Sequence, residues 1–187
     1  MRTPRTLSRL AAATVVVVAL AGCSAAASPS PAPTSAPSAT ASIKGSSADC
    51  ALGPNLKCTN ADLRGMNLGG RDLSGIDLYM TDLTGANLSG AILTGANLTS
   101  AILNQVSASS ASFNNADLTH AAMNSAEFNS SGFANANLTG AFMKDTQLVR
   151  ANLRGANIDG LHVGTGVDST DATCPNGSKG PCTWPTN

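Results

Sequence analysis

Aromatic side chains are nearly missing from this chain: four Phe, one Trp and one Tyr in 187 residues. Charge is thin too, at 12%, so the 42% apolar content is mostly Ala, Leu and Val, which excludes a mixed globular core built on large side chains. Positive charge has no excess, since eleven Lys and Arg face eleven Asp and Glu. That removes the basic footprint of a nucleic-acid binder. No apolar run reaches the roughly 20 residues of a bilayer-spanning helix; the longest stretch runs only from Leu10 to Leu20. The only histidines are His120 and His162, and neither a phosphate-binding loop nor metal-ligand spacing occurs. The sequence therefore names no catalytic residue, no cofactor and no metal site.

What is present begins with Arg2, Arg5 and Arg9, followed by the apolar run and by Leu20-Ala21-Gly22-Cys23. A basic region followed by a short apolar run reads as an export leader. The tetrapeptide resembles the lipobox of bacterial lipoproteins, in which the cysteine is diacylated and becomes the N-terminus. The resemblance implies a signal peptide over 1–22 and lipidation at Cys23. Two acyl chains anchor stably where one does not, so the expected place is the extracytoplasmic face of a bacterial cell membrane. Without the leader, 11 − 3 = 8 basic residues remain against 11 acidic ones, a net charge of −3. Residues 23–47 carry the lipidated cysteine and a tract of Ser, Ala, Pro and Thr, including Ser28-Pro29-Ser30-Pro31-Ala32-Pro33. Such a tract cannot bury enough apolar surface to fold. At about 3.1 Å per residue it reaches on the order of 70 Å, and a spacer is the expected role.

From Ala61-Asp62-Leu63-Arg64-Gly65 onward the chain repeats every five residues. All 21 residues taken at that interval from Leu63 to Val163 are apolar, thirteen of them Leu. Chance would give this with a probability on the order of 10⁻⁸. Numbering each unit from its first residue, 13 of the 21 first positions are Ala, 11 second positions are Asp or Asn, and 9 fifth positions are Gly. A helix turning about 100° per residue would wind these leucines round its surface. In a flat strand an odd period would alternate them between faces. The pattern is consistent only if the first and third side chains point inward and the chain bends after every unit. Gly at the fifth position tolerates the bend, and Asp or Asn bonds to nearby backbone.

Units such as Ala86-Asn87-Leu88-Ser89-Gly90, Ala96-Asn97-Leu98-Thr99-Ser100 and Ala136-Asn137-Leu138-Thr139-Gly140 resemble the pentapeptide-repeat family. The resemblance covers residues 61–165 in one register. It implies an all-β fold, a right-handed quadrilateral β-helix of about five coils, with a cap over 48–60 and a cap and tail over 166–187. Residues 20 apart then stack in columns. One column reads Leu73, Leu93, Phe113, Phe133, Leu153, and its neighbour Leu68, Leu88, Ala108, Phe128, Leu148. Phe128 and Phe113 are thus placed to fill the volume that Ala108 leaves. In the first coil Met66, Arg71 and Ile76 replace the small first residue; Arg71 is expected to leave through an open end or to pair with Asp62 or Asp72.

Both ends of a solenoid need covering. Cys50 and Cys58 precede the repeats, and Cys174 and Cys182 follow them. A rod of this length exceeds the roughly 7 Å Cα limit for cross-end bonds, so local disulfides are expected, Cys50 with Cys58 and Cys174 with Cys182. The alternative, a zinc site, lacks the usual ligand spacing and a nearby histidine.

On the 20-residue register Asp77, Asn97, Asp117, Asn137 and Asn157 form a row, flanked by Thr99, Thr119 and Thr139. This is the candidate binding face, suited to a protein or a cell-wall polysaccharide; the plainer alternative is that these groups satisfy turn backbone and water. A second row, Ile102, Ala122 and Phe142, is apolar and is a candidate contact with a second copy. His120 and His162 are expected to stand alone on the surface. The function expected is a membrane-anchored, surface-exposed structural or interaction module, not an enzyme. Alternatives are a DNA-mimicking topoisomerase binder, opposed by export and few acids, and a secreted enzyme with no recognisable site.

Overall fold

The computed structural model describes Cys50 and residues 52–185, all within the compact unit Ala36–Asn187. The expected signal peptide, Cys23 and the tether lie outside the described residues. Most units turn in the same way. The carbonyl of the third residue accepts the N–H three residues on, as from Met66 to Leu63 at 3.1 Å and from Ala86 to Leu83 at 2.9 Å. The fifth residue, inside that turn, has positive φ at every unit from Asn55 to Gly160. The frequency of Gly there reports a left-handed conformation, which Gly adopts without steric cost. Met80, Gln105 and Arg150 adopt it as well, at φ of 53°, 58° and 59°.

Successive coils pair in parallel, 20 residues out of step. Lys57 pairs with Asp77, and Asn97, Asp117, Asn137 and Asn157 follow in turn. At Phe142–Met143 (β1) and His162–Val163 (β2) the pairing lengthens into a two-residue parallel ladder. Among the described residues there is no helix.

An account of the backbone N–H groups explains the composition. The third N–H bonds the second carbonyl of the next coil, as from Leu63 to Asp82 at 2.8 Å, and the second N–H bonds the first carbonyl of the coil before, as from Asp82 to Ala61 at 2.9 Å. The fifth N–H bonds the fourth carbonyl of the next coil, as from Gly65 to Thr84 at 2.9 Å. The first N–H closes the turn. The fourth N–H usually lacks a backbone partner, and an Asp or Asn two residues earlier often supplies one: Thr84 bonds Asp82 Oδ1 at 2.9 Å and Ser89 bonds Asn87 Oδ1 at 3.0 Å. Short polar side chains do this where longer ones cannot. At three of the units where that residue is absent, an Asn at the fourth position of the coil before takes over. Asn104, Asn114 and Asn129 accept from the N–H groups of Asn124, Ala134 and Val149 at 2.9, 2.9 and 3.0 Å.

The core is the file of third residues, walled by alanines. Phe113, Phe128 and Phe133 are all buried, as is Ala108. Phe113 and Phe133 stack at 5.0 Å, while Phe128 meets them edge-on at 5.5 and 5.2 Å. The aromatic bulk therefore gathers beside the small residue at 108, which keeps the interior filled. Where Thr81, Ser131 and Thr146 replace the inward Ala, each hydroxyl donates to the third carbonyl of the coil before, on Cys58, Ala108 and Met123, at 2.7, 3.0 and 2.8 Å. These buried hydroxyls are thereby satisfied.

Pairing extends to both sides of the expected 61–165 span. Lys57 already pairs with Asp77, and Cys58 takes a buried third position. After Val163 one extra residue enters, and pairing resumes at a 21-residue offset, Gln147 with Asp168 and Asn152 with Thr173. Ser169 and Cys174 then occupy third positions and are buried. The extra residue is taken up around Gly164 to Gly166, where Gly166 has a φ of 77°. The five-residue pattern loses register here although the hydrogen-bonded ladder continues.

Candidate functional site

The ends are held by covalent bonds. Disulfides join Cys50 to Cys58 and Cys174 to Cys182, with Cα separations of 4.3 and 5.3 Å. Since Cys58 and Cys174 are core residues, each bond fastens a terminal segment to the end of the apolar file. At the N-terminal end the Arg71 guanidinium donates to the Leu52 carbonyl at 3.1 Å. Its exit is thus covered by the cap segment, and the carboxylate of Asp62 instead takes Arg64 at 2.6 Å.

The eight residues of the candidate face come together as a ladder. Asp77, Asn97, Asp117, Asn137 and Asn157 pair coil to coil, and the Asn97 amide donates to Asp77 Oδ1 at 2.9 Å. The Asn137 amide donates to Thr119 Oγ1 at 2.8 Å. The threonines turn inward upon the same row. Thr99 donates its N–H to Asn97 Oδ1 at 3.1 Å, and Thr119 and Thr139 donate both N–H and hydroxyl to Asp117 and Asn137. Asn157 Oδ1 accepts the Asp159 N–H at 3.0 Å. Most of the face's polar atoms therefore serve the turns. What it offers outward is a fixed relief and the remaining carboxylate and amide lone pairs.

The same turn geometry acts on charge. Asp72 is held below the ordinary carboxylate range, first by the Ser74 hydroxyl and then by its N–H; Asp168 is lowered in the same way by Thr170. Hydrogen bonds to the ionised form favour it.

Neither histidine stands alone. The His120 ring lies 3.4 Å from the Gly140 carbonyl, and His162 stacks on Phe142 with centroids 4.5 Å apart and planes 11° from parallel. That contact follows from the apolar row, in which Ile102, Ala122, Phe142 and His162 pair in succession. Ile102 and Phe142 are exposed, and a cavity of about 280 Å³ opens beside Phe142 and His162. Sequence reasoning reached the row but not the stacking or the cavity, which depend on side-chain geometry that a five-residue pattern does not carry. Among the described residues no three His, Cys, Asp or Glu side chains are grouped to hold a metal ion.

Comparison with known proteins follows the repeat. A family model described as pentapeptide repeats matches in eight copies, over residues 57–95, 91–129 and 132–161. No curated protein sequence matches the chain. Solved structures that are similar include Rfr23, a pentapeptide repeat protein from the cyanobacterium Cyanothece 51142, with 26% identity, coverage of 60% of this chain and 90% of that one, and a TM-score of 0.43. HetL, a pentapeptide repeat protein involved in heterocyst differentiation regulation from Nostoc sp. strain PCC 7120, is 20% identical, with coverage of 67% and 90% and a TM-score of 0.31. AT2G44920, from the Arabidopsis thaliana thylakoid lumen, is 33% identical over 51% of this chain and 63% of that one, with a TM-score of 0.28.

Proposed function

The chain belongs to the pentapeptide-repeat family, and from that premise we propose that it is a membrane-anchored, surface-exposed interaction module. In this reading a right-handed quadrilateral β-helix of about five coils, roughly 25 Å long at the 4.7–4.9 Å strand spacing, is carried on a lipid at Cys23 through the 23–47 spacer. It presents a rigid face to a protein or a cell-wall polysaccharide. The observation that supports this most is the ladder from Asp77 to Asn157, whose side chains are locked by their own turns. Recognition there works through shape, at little entropic cost, because the surface is ordered before its partner arrives.

A topoisomerase-binding mimic of DNA needs a densely acidic surface, which eight basic and eleven acidic residues outside the leader do not make. For catalysis the sequence offers no recognisable arrangement of nucleophile and base. The test has two arms. Metabolic labelling with palmitate should mark the wild-type chain and leave Cys23→Ser unmarked. Crosslinking on intact cells should then recover a wall fragment or an envelope protein; an unlabelled chain, or a cytoplasmic topoisomerase in the crosslinked fraction, would overturn the reading.

A further inference from the structure

The outer surface opens where the repeat loses its period. Rows of second and fourth residues run along the rod on either side of the strand that carries Met143 and Val163. Between them lies the cavity of about 280 Å³. One wall is aromatic, the stacked Phe142 and His162. The other is polar, formed by Asn124 and Lys144, and it ends at Gly164, which has no side chain and is covered by the Lys144 stem.

At the polar wall one asparagine departs from its three counterparts along the rod. Asn104, Asn114 and Asn129 each give their Oδ1 to the N–H of the residue 20 further on. At Asn124 the corresponding bond, to the Lys144 N–H, is not made. Neither that N–H, nor the Asn124 amide group, nor the Lys144 ammonium has a hydrogen-bond partner among the described residues. The nearest acid in sequence, Asp145, is turned to the next corner, with its carboxylate over Gly166. A partly exposed aromatic pair thus stands beside an N–H, an amide and a cation, all unengaged.

The geometry points to a binding site for an acidic pyranose, one sugar unit of a uronic-acid type. Its C–H face would lie against Phe142, its carboxylate would take the Lys144 ammonium and N–H, and a ring hydroxyl would meet the Asn124 amide. The volume, about 280 Å³, lies just below the roughly 300–1,000 Å³ clefts that hold drug-sized ligands, which suits a single ring. A second copy of the chain is a poorer occupant. Stable interfaces bury about 800 Å² per partner, and this apolar row has few exposed side chains. Charge-assisted bonds to the carboxylate supply the preference for an acid. The inference rests on the surface-module reading for its biological setting, but binding by the pure chain is measured independently of it.

The test is saturation-transfer NMR on the full chain with glucuronate, glucose and benzoate as probes. Glucuronate is expected to bind with a dissociation constant on the order of 1 mM. Phe142→Ala and Lys144→Gln should each weaken it about tenfold, equivalent to about 1.4 kcal/mol, whereas Phe142→Tyr should retain it with unchanged circular dichroism. Glucose should bind more weakly than glucuronate. Absence of transfer from glucuronate, affinity indifferent to both weakening variants, or tighter binding of benzoate would each overturn the proposal. A chain that binds glucuronate yet takes up no palmitate would leave this site standing and remove the anchored setting.

Discussion

Phe113 and Phe133, twenty residues apart in the chain, stack in the interior with ring planes 6° from parallel. Because both are buried and Phe128 packs edge-on against each, truncating one leaves a cavity that the fixed backbone ladder cannot close. Phe113→Ala is expected to cost about 3–5 kcal/mol in a denaturant titration. Phe113→Leu, which keeps most of the volume, should cost under about 1.5 kcal/mol. Equal small losses for both would place the ring outside the core.

The inward hydroxyls make a second, opposite expectation. Ala is the commonest residue at the first position, yet Ser131→Ala should destabilise, because the Ser131 hydroxyl donates to the buried carbonyls of Ala108 and Phe128. A net hydrogen bond is worth about 0.5–1.5 kcal/mol, and Thr146→Val, isosteric without the donor, should lose a similar amount. Thermal melts of the two variants check this; stabilisation by the more typical residue would contradict it.

The left-handed fifth position supplies a third. Gln105 sits at φ 58° and Gly95 at φ 68° with open space around its missing side chain. A left-handed L-residue costs roughly 1–2 kcal/mol, offset in part by the extra entropy Gly loses on folding, about 0.5–1 kcal/mol. Gln105→Gly should therefore stabilise by up to about 1 kcal/mol and Gly95→Gln destabilise comparably. Opposite changes in midpoint denaturant concentration at constant slope are the expected readout.

Acid should loosen the turns. Asp72 and Asp168 are held below the ordinary carboxylate value in the fold by the hydroxyl and N–H of Ser74 and Thr170. A depressed carboxylate contributes stability above its unfolded value and loses it as pH falls through the folded one. Melting temperature should thus be level from neutral pH to about pH 5 and decline below about pH 4, modestly, since both groups are exposed. Ser74→Ala, which removes the larger cause, should raise the Asp72 titration midpoint seen by NMR; an unchanged midpoint would show that the hydroxyl is not bonded to it.

The period of five made the stacked coil legible, because a buried column at positions such as Leu63, Leu83 and Leu103 forces both the bend and the 20-residue step. The cysteine pairs were legible for a related reason: local closure was the only short path at each end. Other features gave no periodic signal. Arg71 looked like an exception in the core, yet its destination, the Leu52 carbonyl, depends on how a non-repeating segment folds over the end. The continuation through Ser169 to Cys174 was hidden by one extra residue near Gly164 to Gly166, since a pattern read in fives loses register when backbone pairing does not. Asp117 and Asn137 were visible as a row, but their engagement in the turns of Thr119 and Thr139 required side-chain geometry.

The 20-residue step is the claim on which the rest depends, and paired cysteine substitution reads it directly. Ser107 and Glu127 face each other in adjacent coils, and Gln147 lies one coil further. At the roughly 4.8 Å separation of paired strands, Ser107→Cys with Glu127→Cys lies within the roughly 4.4–6.8 Å Cα range of a disulfide and should oxidise in air. Ser107→Cys with Gln147→Cys should remain as free thiols, the two native disulfides being unaffected in both. Non-reducing peptide mapping that found the second pair bonded as readily as the first, or the first pair free, would contradict the stacked coil.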